Sequence, residues 1–378
     1  MFSFLRNDLA DLVSYTPQPE DFLGKQNTKQ EQIDRLDTNE NPYDLPQSLK
    51  AKLARTYQEL IAVNRYPDGS HGKLKQAIAE YSNESAGVRH FHPANISVGN
   101  GSDEIIRSLL IATCIGDGGS ILVANPTFSM YGIIAKTLGI PVTEIDRHPN
   151  TFEMNLDAAS QAISEHDPPV KVVFVVHPNS PTANQLTERE ISWLQELPER
   201  VLVVIDEAYF EFNQHTLAPE ITRHPNWVVL RTFSKAFRLA GHRVGYAIAH
   251  PMLTATLEKI RLPYNVPSFS QAAARAALSH RQELLPVISQ IQKQRDQLIA
   301  ALKKIPGVQV WPSNANFLYL RFQGNEAANE RKMQEIADGM KARGTLIRHT
   351  GGGLRITVGS EQENKHTVQR FQEILQSA

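Results

Sequence analysis

The chain has 378 residues, with 39 Lys and Arg against 40 Asp and Glu, so its formal net charge is −1. A near-neutral charge excludes the strong positive field of a general nucleic-acid binder, and a composition of 41% hydrophobic and 21% charged residues excludes a disordered chain. The single cysteine, Cys114, excludes an internal disulfide and a cysteine-based metal cluster.

No segment approaches the ~18 consecutive apolar residues that a membrane-spanning helix needs. In the first residues, MFSFLRNDLADL, polar side chains interrupt the apolar core that a signal peptide would require. We therefore expect a soluble protein with neither a membrane nor a nucleic-acid partner, and the scarcity of cysteine makes the cytoplasm its simplest location. The 13 histidines are scattered without metal-ligand spacing, so no metal site is predicted.

Seven apolar runs of strand length recur in the middle of the chain, with helical periodicity over Asp103–Cys114, Leu156–His166 and Glu188–Leu197 between them. The runs are ISVGN (96–100), SILVAN (120–125), PVTEID (141–146), VKVVFVV (170–176), VLVVID (201–206), WVVLRT (227–232) and RVGYAIA (243–249). Because such alternation is typical of a sheet covered on both faces, we expect an α/β fold with a mostly parallel sheet. The last run follows its predecessor too closely for a crossover helix, so we expect it to be antiparallel.

The pattern of predicted elements changes after about residue 265. A long helical stretch, interrupted at Pro286, precedes short strands and two further helices. The length also exceeds the ~250–300 residues that one core usually supports. We therefore predict an N-terminal segment (1–45) without strands that packs with the small domain, a large domain (46–268) and a small α+β domain (269–378).

Polar motifs follow four of the predicted strands at the point where each strand ends. In chain order they are Gly101-Ser102-Asp103-Glu104, His177-Pro178-Asn179, Asp206-Glu207-Ala208-Tyr209, and Phe233-Ser234-Lys235 with Gly241 and Arg243 downstream. Ligands bind at the carboxyl ends of strands in open parallel sheets, and free N–H groups at a helix start bind anions. Taken alone, each motif also fits an ordinary role as a glycine turn, a proline turn, a salt bridge or a surface lysine.

Together, in this order, the four motifs resemble the fold-type-I, pyridoxal-phosphate-dependent aminotransferases, and the resemblance covers nearly the whole chain. Within that superfamily the sequence is most similar to the histidinol-phosphate aminotransferase family. The further signatures are Asn39-Glu40-Asn41-Pro42, Arg65-Tyr66-Pro67-Asp68-Gly69 and Leu354-Arg355-Ile356-Thr357-Val358-Gly359. The resemblance implies a mostly parallel seven-stranded sheet in the large domain and pyridoxal 5′-phosphate as the cofactor.

The resemblance assigns catalytic roles to the strand-end residues. Lys235 would bond to the cofactor aldehyde and would then move a proton between the substrate α-carbon and the cofactor. Asp206 would pair with the protonated pyridine nitrogen, which makes the ring an electron sink. Tyr209 and Asn179 would hydrogen-bond to the 3′ oxygen of the cofactor.

The same resemblance implies a phosphate site. The backbone N–H groups of Ser102 and Asp103 would bind the cofactor phosphate, while Thr232, Ser234 and Arg243 would surround it with hydroxyl groups and a guanidinium. The carboxylate of Asp103 would repel a phosphate, so we expect that side chain to point away.

Two aromatic residues also match positions of the family. Phe128, in NPTFSMY, would stack on the pyridine face, although a core aromatic is the simpler interpretation without the resemblance. Tyr66 would reach the cofactor phosphate of the other subunit, which implies a homodimer with shared active sites. The residues themselves show no more than a tyrosine in a turn before Pro67.

The resemblance places the substrate-binding residues near both ends of the chain. Arg355 and Arg348 would hold the phosphate of histidinol phosphate and, in the other half-reaction, the carboxylates of glutamate. The segment between them is shorter than in many relatives, which puts the role of Arg348 in question. Tyr15 and Asn39 match positions that line the substrate pocket in relatives.

The resulting hypothesis is amino-group transfer from L-histidinol phosphate to 2-oxoglutarate in histidine biosynthesis. The open alternatives are an aromatic amino-acid aminotransferase, an enzyme resembling threonine-phosphate decarboxylase, and a cofactor-binding regulator without activity. The intact set of Lys235, Asp206 and Arg355 argues against the regulator, as does the lack of a DNA-binding segment. Cys114 is expected in the core, among apolar neighbours on a predicted helix.

Overall fold

The computed structural model describes residues 4–9, 12, 33–116, 118–324 and 326–377, with the backbone alone for residues 326–328 and 377. The strands are β1 (Asp34–Arg35), β2 (Ile96–Asn100), β3 (Ser120–Asn125), β4 (Val142–Asp146), β5 (Val170–Val176), β6 (Leu202–Asp206), β7 (Trp227–Thr232), β8 (Val244–Ala249), β9 (Val308–Val310), β10 (Phe317–Phe322), β11 (Thr345–Leu346), β12 (Arg348–Thr350) and β13 (Gly353–Thr357). The helices are α1 (Gln47–Leu60), α2 (Gly72–Ala86), α3 (Ser102–Cys114), α4 (Met130–Thr137), α5 (Leu156–Glu165), α6 (Glu188–Gln195), α7 (Phe210–Asn213), α8 (Pro251–Ile260), α9 (Ser268–Ser279), α10 (Arg281–Leu284), α11 (Val287–Leu302), α12 (Glu326–Ala342) and α13 (Glu361–Ser377). Short 3-10 helices lie at Asn7–Leu9, Pro93–Asn95, Ala218–Thr222 and Ala240–His242.

Seven strands form the large sheet, in the order β2-β8-β7-β6-β5-β3-β4. The pairs among β3 to β7 are parallel, whereas β8 runs antiparallel to both of its neighbours, β7 and β2. Strand β8 reverses direction because no crossover helix lies between Thr232 and Val244. The predicted α/β fold, with a mostly parallel sheet of seven strands and an antiparallel last strand, is confirmed.

The large sheet buries both of its faces. Along β6, Val203 and Ile205 belong to the hydrophobic cluster on one face, and Leu202 and Val204 belong to the cluster on the other face. Cys114 is buried in the second cluster, as the sequence predicts. Since helices cover both faces, the strand ends are the part of this sheet that a ligand can reach.

A second sheet is antiparallel, with the order β12-β13-β10-β9. Helices α11, α12 and α13 pack on it through a separate cluster that includes Leu298, Met333 and Phe371. The predicted absence of strands from the first forty residues is wrong at β1, which pairs in parallel with β11. Two residues are too few to give a periodic pattern, and this strand is fixed by tertiary bonds: buried Asp34 accepts hydrogen bonds from Arg370 at 2.6 Å and from Thr345 at 3.2 Å.

The domain boundaries at residues 45/46 and 268/269 stay predictions. Leu36 belongs to the hydrophobic cluster of the small sheet and Leu45 to that of the large sheet, which supports the first boundary. Helix α9 begins at the second boundary, yet Ala273 and Ala277 pack in the cluster of the large sheet. The predicted helix interruption at Pro286 is confirmed, because α10 ends at Leu284 and α11 begins after this proline.

The carboxyl edge of the large sheet faces the small sheet. The ring of Tyr209, just after β6, packs edge-on against that of Phe317 in β10 at 4.9 Å between centroids. Nη1 of Arg355, in β13, donates a 3.3 Å hydrogen bond to Oγ of Ser180, in the loop after β5. Contacts between the two sheets therefore bring residues from distant parts of the sequence together, in the region that we call the cleft.

Across the described ranges, no helix combines the length and apolarity needed to cross a membrane. Within the same ranges, no group of three or more His, Cys, Asp and Glu side chains is placed to hold a metal ion.

Candidate active site

The predicted strand-end motifs meet at one edge of the large sheet. Strands β5, β6 and β7 are parallel, so the segments that carry Asn179, Asp206 and Lys235 emerge at the same side. Strand β8 begins where β7 ends, since Gly245 pairs with Thr232, and the last residue of β2 pairs with the first of β8. The start of α3 therefore joins the same edge.

Lys235 lies in the turn after β7 and is largely enclosed. Its Nζ donates a 2.7 Å hydrogen bond to the backbone oxygen of Thr38, in the N-terminal segment. Burial, together with the positive charges of Arg355 and Arg243, lowers the pKa of Lys235 to about 8, although the carboxylate of Glu40 opposes the shift. At that pKa about a tenth of the amine is neutral at pH 7 and about half at pH 8, which supplies the neutral amine that a nucleophile and base requires.

Asp206 ends β6 with its carboxylate buried. Its Oδ2 accepts a 2.8 Å hydrogen bond from Oη of Tyr131, and its Oδ1 accepts one from the backbone N–H of Ala208 at 3.0 Å. Burial raises the pKa of Asp206 to about 6, although both hydrogen bonds oppose that shift. A cation placed beside this carboxylate, such as a protonated ring nitrogen, would offset the cost of its burial.

Tyr131 is a site residue that the sequence analysis missed. It is fully buried on α4, and its ring stacks on that of Phe174 at 4.5 Å between centroids. Its position three residues after Phe128, in the same NPTFSMY segment, was the available signal. Because Tyr131 is a donor to Asp206, it helps to keep this carboxylate ionised and oriented.

Asn179 is held in the loop after β5 by three side-chain hydrogen bonds. Its Nδ2 donates to Oγ1 of Thr182 at 2.6 Å and to the backbone oxygen of Pro126 at 3.0 Å, while its Oδ1 accepts from Oγ1 of Thr127 at 3.1 Å. Both amide hydrogens are engaged, so a hydrogen bond from Asn179 to a cofactor oxygen requires one of these bonds to open.

Asn39 lies against Tyr209. Its Nδ2 donates a 2.9 Å hydrogen bond to the phenol oxygen of Tyr209, and its backbone N–H and Oδ1 both contact Oγ1 of Thr357, at 2.9 and 3.2 Å. The phenol oxygen thus accepts from Asn39, so its own hydrogen is the group that it can donate to a cofactor oxygen. The structure places Asn39 beside a predicted cofactor residue, where it orients Tyr209.

The predicted phosphate site lies at the start of α3. A side chain at position 245 would approach the backbone nitrogen of Ser102 to 2.4 Å, so glycine there permits close packing of β8 on this turn. Nη1 of Arg243 lies 3.4 Å from Oγ of Ser234, which in turn accepts a 3.0 Å hydrogen bond from Thr232. These hydroxyl groups, the guanidinium and the free N–H groups at the helix start form a donor set suited to a phosphate.

Asp103 differs from the expectation. Its carboxylate does not simply point away, because Oδ2 forms a 3.3 Å ion pair with Nη2 of Arg243. Both side chains are partly exposed, so solvent screens this pair. The pair neutralises the carboxylate that the sequence analysis considered repulsive, and a bound phosphate would compete with it for Arg243.

The two predicted aromatic contacts differ in burial. Phe128 is partly buried beside the site, with its ring edge-on to Tyr131 at 5.3 Å between centroids. Tyr66 is 81% exposed and stacks on Tyr264 at 4.5 Å between centroids. The structure therefore brings Phe128 to the predicted site and leaves Tyr66 at the protein surface.

The predicted substrate arginines are cross-strand neighbours. Arg348 and Arg355 are directly paired in the antiparallel hairpin β12–β13, so their side chains extend from the same face of the small sheet. Gly351 and Gly352 form its turn, and both have positive φ, as a two-residue hairpin turn requires. The short segment between Arg348 and Arg355, which put the role of Arg348 in question, is thus the hairpin turn that aligns the two arginines. The fourth predicted substrate residue, Tyr15, lies outside the described residues.

Comparison with known proteins identifies the family. A family model described as aminotransferase class I and II matches residues 31–371. The chain belongs to this family. The histidinol-phosphate aminotransferase of Trichodesmium erythraeum is 55% identical to it, with 99% of this chain and 100% of the relative covered. Histidinol-phosphate aminotransferase 2 of a Nostoc species is also 55% identical, with 99% and 98% covered.

A solved structure has the same fold. The histidinol-phosphate aminotransferase of Sinorhizobium meliloti, in complex with pyridoxal 5′-phosphate, superposes with a TM-score of 0.85 over 100% of this chain and 99% of that one, at 23% identity. The family recognised in the sequence and its fold type are therefore confirmed. The protein is an aminotransferase that uses pyridoxal 5′-phosphate.

The residues at the cleft fit this cofactor. A phosphate would find N–H groups at the start of α3, and a ring nitrogen would find the buried carboxylate of Asp206, with the amine of Lys235 at the same strand edge. When bound, the cofactor supplies an aldehyde and a pyridine ring that withdraws electrons from a substrate carbon. The roles of the individual residues stay predictions.

Proposed function

We propose that the enzyme transfers the amino group of L-histidinol phosphate to 2-oxoglutarate, which gives imidazole-acetol phosphate and glutamate in histidine biosynthesis. The cross-strand pair of Arg348 and Arg355 carries the proposal. One amino donor, L-histidinol phosphate, has a phosphate, and the donor of the reverse reaction, glutamate, has carboxylates, so the enzyme needs a site that binds both kinds of anion. The names of full-length relatives that are more than half identical to the chain support the same substrate over the alternatives.

The arginine pair suits both oxyanions. Each guanidinium presents donors in a plane, and two such groups from adjacent strands match the oxygens of a phosphate as well as a pair of carboxylates. Arg355 is 9% exposed and already bonds to Ser180 and to the backbone oxygen of Asp37, which fixes its orientation towards the cleft. Arg348 is more accessible, and it extends from the strand at the sheet edge.

Lys235 acts as the base and acid of the reaction in this proposal. Its lowered pKa, about 8, lets one amine accept a proton from the substrate α-carbon and return it to the cofactor carbon. Asp206 holds the ring nitrogen protonated, and Tyr131 and Ala208 hold Asp206. Asn39 directs the hydrogen of Tyr209 towards the cofactor's 3′ oxygen.

We propose further that the enzyme is a homodimer in the cytoplasm, with Tyr66 contributed to the partner's cofactor phosphate. Support comes from a group of exposed apolar side chains around Tyr66 and Tyr264, which a second copy of the chain would cover. They include Leu60, Val63 and Leu262, exposed by 77%, 69% and 68%.

A panel of amino donors tests the proposed substrate. We expect kcat/KM with 2-oxoglutarate to be highest for L-histidinol phosphate, lower for phenylalanine, and lowest for threonine phosphate, without release of carbon dioxide. A higher kcat/KM for phenylalanine would make the enzyme an aromatic aminotransferase, and carbon dioxide from threonine phosphate would make it a decarboxylase. A protein that binds the cofactor but turns over none of the three would support the regulator.

Lys235→Ala tests the assignment of the lysine separately. The wild-type enzyme should show the visible absorption band of cofactor bonded to a lysine, and the variant should lack it. A variant that kept the band would place the bond on another lysine.

A further inference from the structure

The tip of the β12–β13 hairpin contacts the two loops that hold the predicted cofactor residues. A Cβ atom at Gly351 would lie 2.6 Å from Cβ of Pro126 and 3.3 Å from Cγ of Pro181. Pro126 precedes Thr127 and Phe128, and Pro181 lies two residues after Asn179. Only glycine allows the tip to approach these loops so closely, since any side chain there would collide with proline rings.

The other side of the tip is held by two residues of β10. Nη2 of Arg321 donates a 2.6 Å hydrogen bond to the backbone oxygen of Gly351. Oη of Tyr319 directs its single hydrogen to the same oxygen, and it also lies 3.2 Å from the backbone oxygen of Thr350. The phenol reaches the tip across Gly353, where a Cβ atom would lie 2.6 Å from Cζ of Tyr319.

Arg321 is itself fixed by aromatic rings. Its guanidinium carbon lies 5.2 Å from the ring centroid of Phe152, 5.5 Å from that of Tyr319 and 5.9 Å from that of Trp311. Such contacts restrict the long side chain before it donates to the hairpin, so the bond to Gly351 costs little further side-chain entropy. No role in binding substrate or cofactor is needed to explain this arrangement.

The hairpin also carries both proposed substrate arginines. Arg348 begins β12 and pairs with Arg355 in β13, and Tyr319 is the β10 partner of Arg355 on the other side. A shift of the tip would therefore move both guanidinium groups relative to the loops of Phe128 and Asn179. Displacements of about 1 Å at a reacting centre can cost about a hundredfold in rate.

We propose that Arg321 is a positioning residue that holds the hairpin tip on the proline loops, and that Gly351 is the site of that contact. The hairpin tip thereby sets the distance between the substrate arginines and the cofactor residues. This inference rests on the proposed role of Arg348 and Arg355, and it adds residues that touch neither substrate nor cofactor.

Gly351→Ala and Gly352→Ala form a matched pair for the test. Both glycines have positive φ, +60° and +72°, so an alanine strains the backbone similarly at either position. At position 352, however, a Cβ atom would meet only the guanidinium of Arg321, at an ordinary contact distance of 3.6 Å. Comparison of the two variants therefore distinguishes the effect of a collision with the proline loops from the effect of backbone strain in the turn.

The half-saturation concentration (KM) and the limiting single-turnover rate of the half-reaction are measured for the holoenzyme with glutamate, and then with L-histidinol phosphate. Gly351→Ala should raise both KM values about tenfold or more, and Gly352→Ala should change them by no more than about threefold. Arg321→Gln should also raise both KM values, and Arg321→Lys should recover part of the loss. The absorption band of the bound cofactor and the thermal midpoint should stay close to those of the wild type.

Equal effects of the two glycine variants, or an unchanged KM in Arg321→Gln, would overturn the proposal. Loss of the cofactor band or of thermal stability in Arg321→Gln would make the residue merely structural. Because glutamate reports on the hairpin by itself, failure with histidinol phosphate alone would contradict the proposed substrate and leave the positioning role intact.

Discussion

Oη of Tyr131 donates a 2.8 Å hydrogen bond to Oδ2 of Asp206, and both residues are buried. The tyrosine comes from α4 and the aspartate from the end of β6, so the bond exists only in the folded protein. It stabilises the ionised carboxylate in a position where burial opposes ionisation. With Asp206 in its proposed role beside the ring nitrogen, the electron-withdrawing state of the cofactor would depend on a residue that does not need to touch it.

Tyr131→Phe should weaken cofactor binding and lower kcat. The variant keeps the ring that stacks on Phe174 but removes a hydrogen bond to a charged group, worth about 1.5–3 kcal/mol, or about tenfold to a hundredfold in affinity. The dissociation constant of the cofactor measures the loss. Tyr81→Phe is the control, because Tyr81 is also buried and donates to a carboxylate, that of Glu211, at 3.0 Å. Similar losses in both variants would show that Tyr131 has no special relation to the cofactor.

Asp206→Asn should abolish activity and stabilise the cofactor-free protein at neutral pH. Burial raises the pKa of Asp206 to about 6, above the ordinary value of 3.8, so the folded state binds this proton more tightly than the unfolded state. The aspartate therefore destabilises the cofactor-free fold above about pH 6, by about 3 kcal/mol, and this cost disappears as the pH falls towards 4. Thermal midpoints of both proteins from pH 8 to pH 4 measure the effect, and a difference independent of pH would contradict it.

Arg355→Gln should raise the pKa of Lys235 in the cofactor-free enzyme. After burial, the charge of Arg355 is the largest cause that lowers this pKa to about 8. The rate at which an amine reagent modifies Lys235, followed by mass spectrometry against pH, should have its midpoint near 8 in the wild type and higher in the variant. The exposed Arg55→Gln is the control and should leave the midpoint unchanged. An unshifted profile in Arg355→Gln would exclude this electrostatic contact.

Mixed dimers test whether Tyr66 acts across an interface. Lys235→Ala and Tyr66→Ala should each impair the enzyme, yet a dimer of the two variants should regain activity. One of its sites would combine an intact Lys235 with an intact Tyr66 from the partner. Co-expressed variants with two different tags allow the mixed dimer to be purified and assayed. Activity no higher than that of the better single variant would place Tyr66 in its own subunit's site.

The sequence predicts the parts of the molecule that depend on local pattern. The seven strands of the large sheet were visible as apolar runs because most of them are buried on both faces; the edge strand β4, with only Ile145 buried, is the exception. The strand-end positions of Asn179, Asp206 and Lys235 followed from those runs and from the parallel topology. The resemblance supplied what pattern does not carry, namely the cofactor and the roles of these residues.

Other features depend on contacts between distant segments and could not be predicted. The side chain of Asp103 was expected to point away from the phosphate, but its pairing with Arg243 becomes visible only when α3 and the segment before β8 are placed together. Strand β1 is too short for a pattern and forms through bonds to α13 and β11. The alignment of Arg348 with Arg355 depends on the register of the β12–β13 hairpin. The sequence showed only that the segment between the two arginines is short.

Recognition of a phosphate by the arginine pair is the central claim, and Arg348→Ala tests it most directly. The measurement is kcat/KM for L-histidinol phosphate and for phenylalanine, each in the wild type and in the variant. Removal of one charged donor should lower the value for histidinol phosphate about tenfold or more, while that for phenylalanine should change by no more than about twofold. Equal losses for the two amino donors would contradict the account, because Arg348 would then have no selective contact with the phosphate.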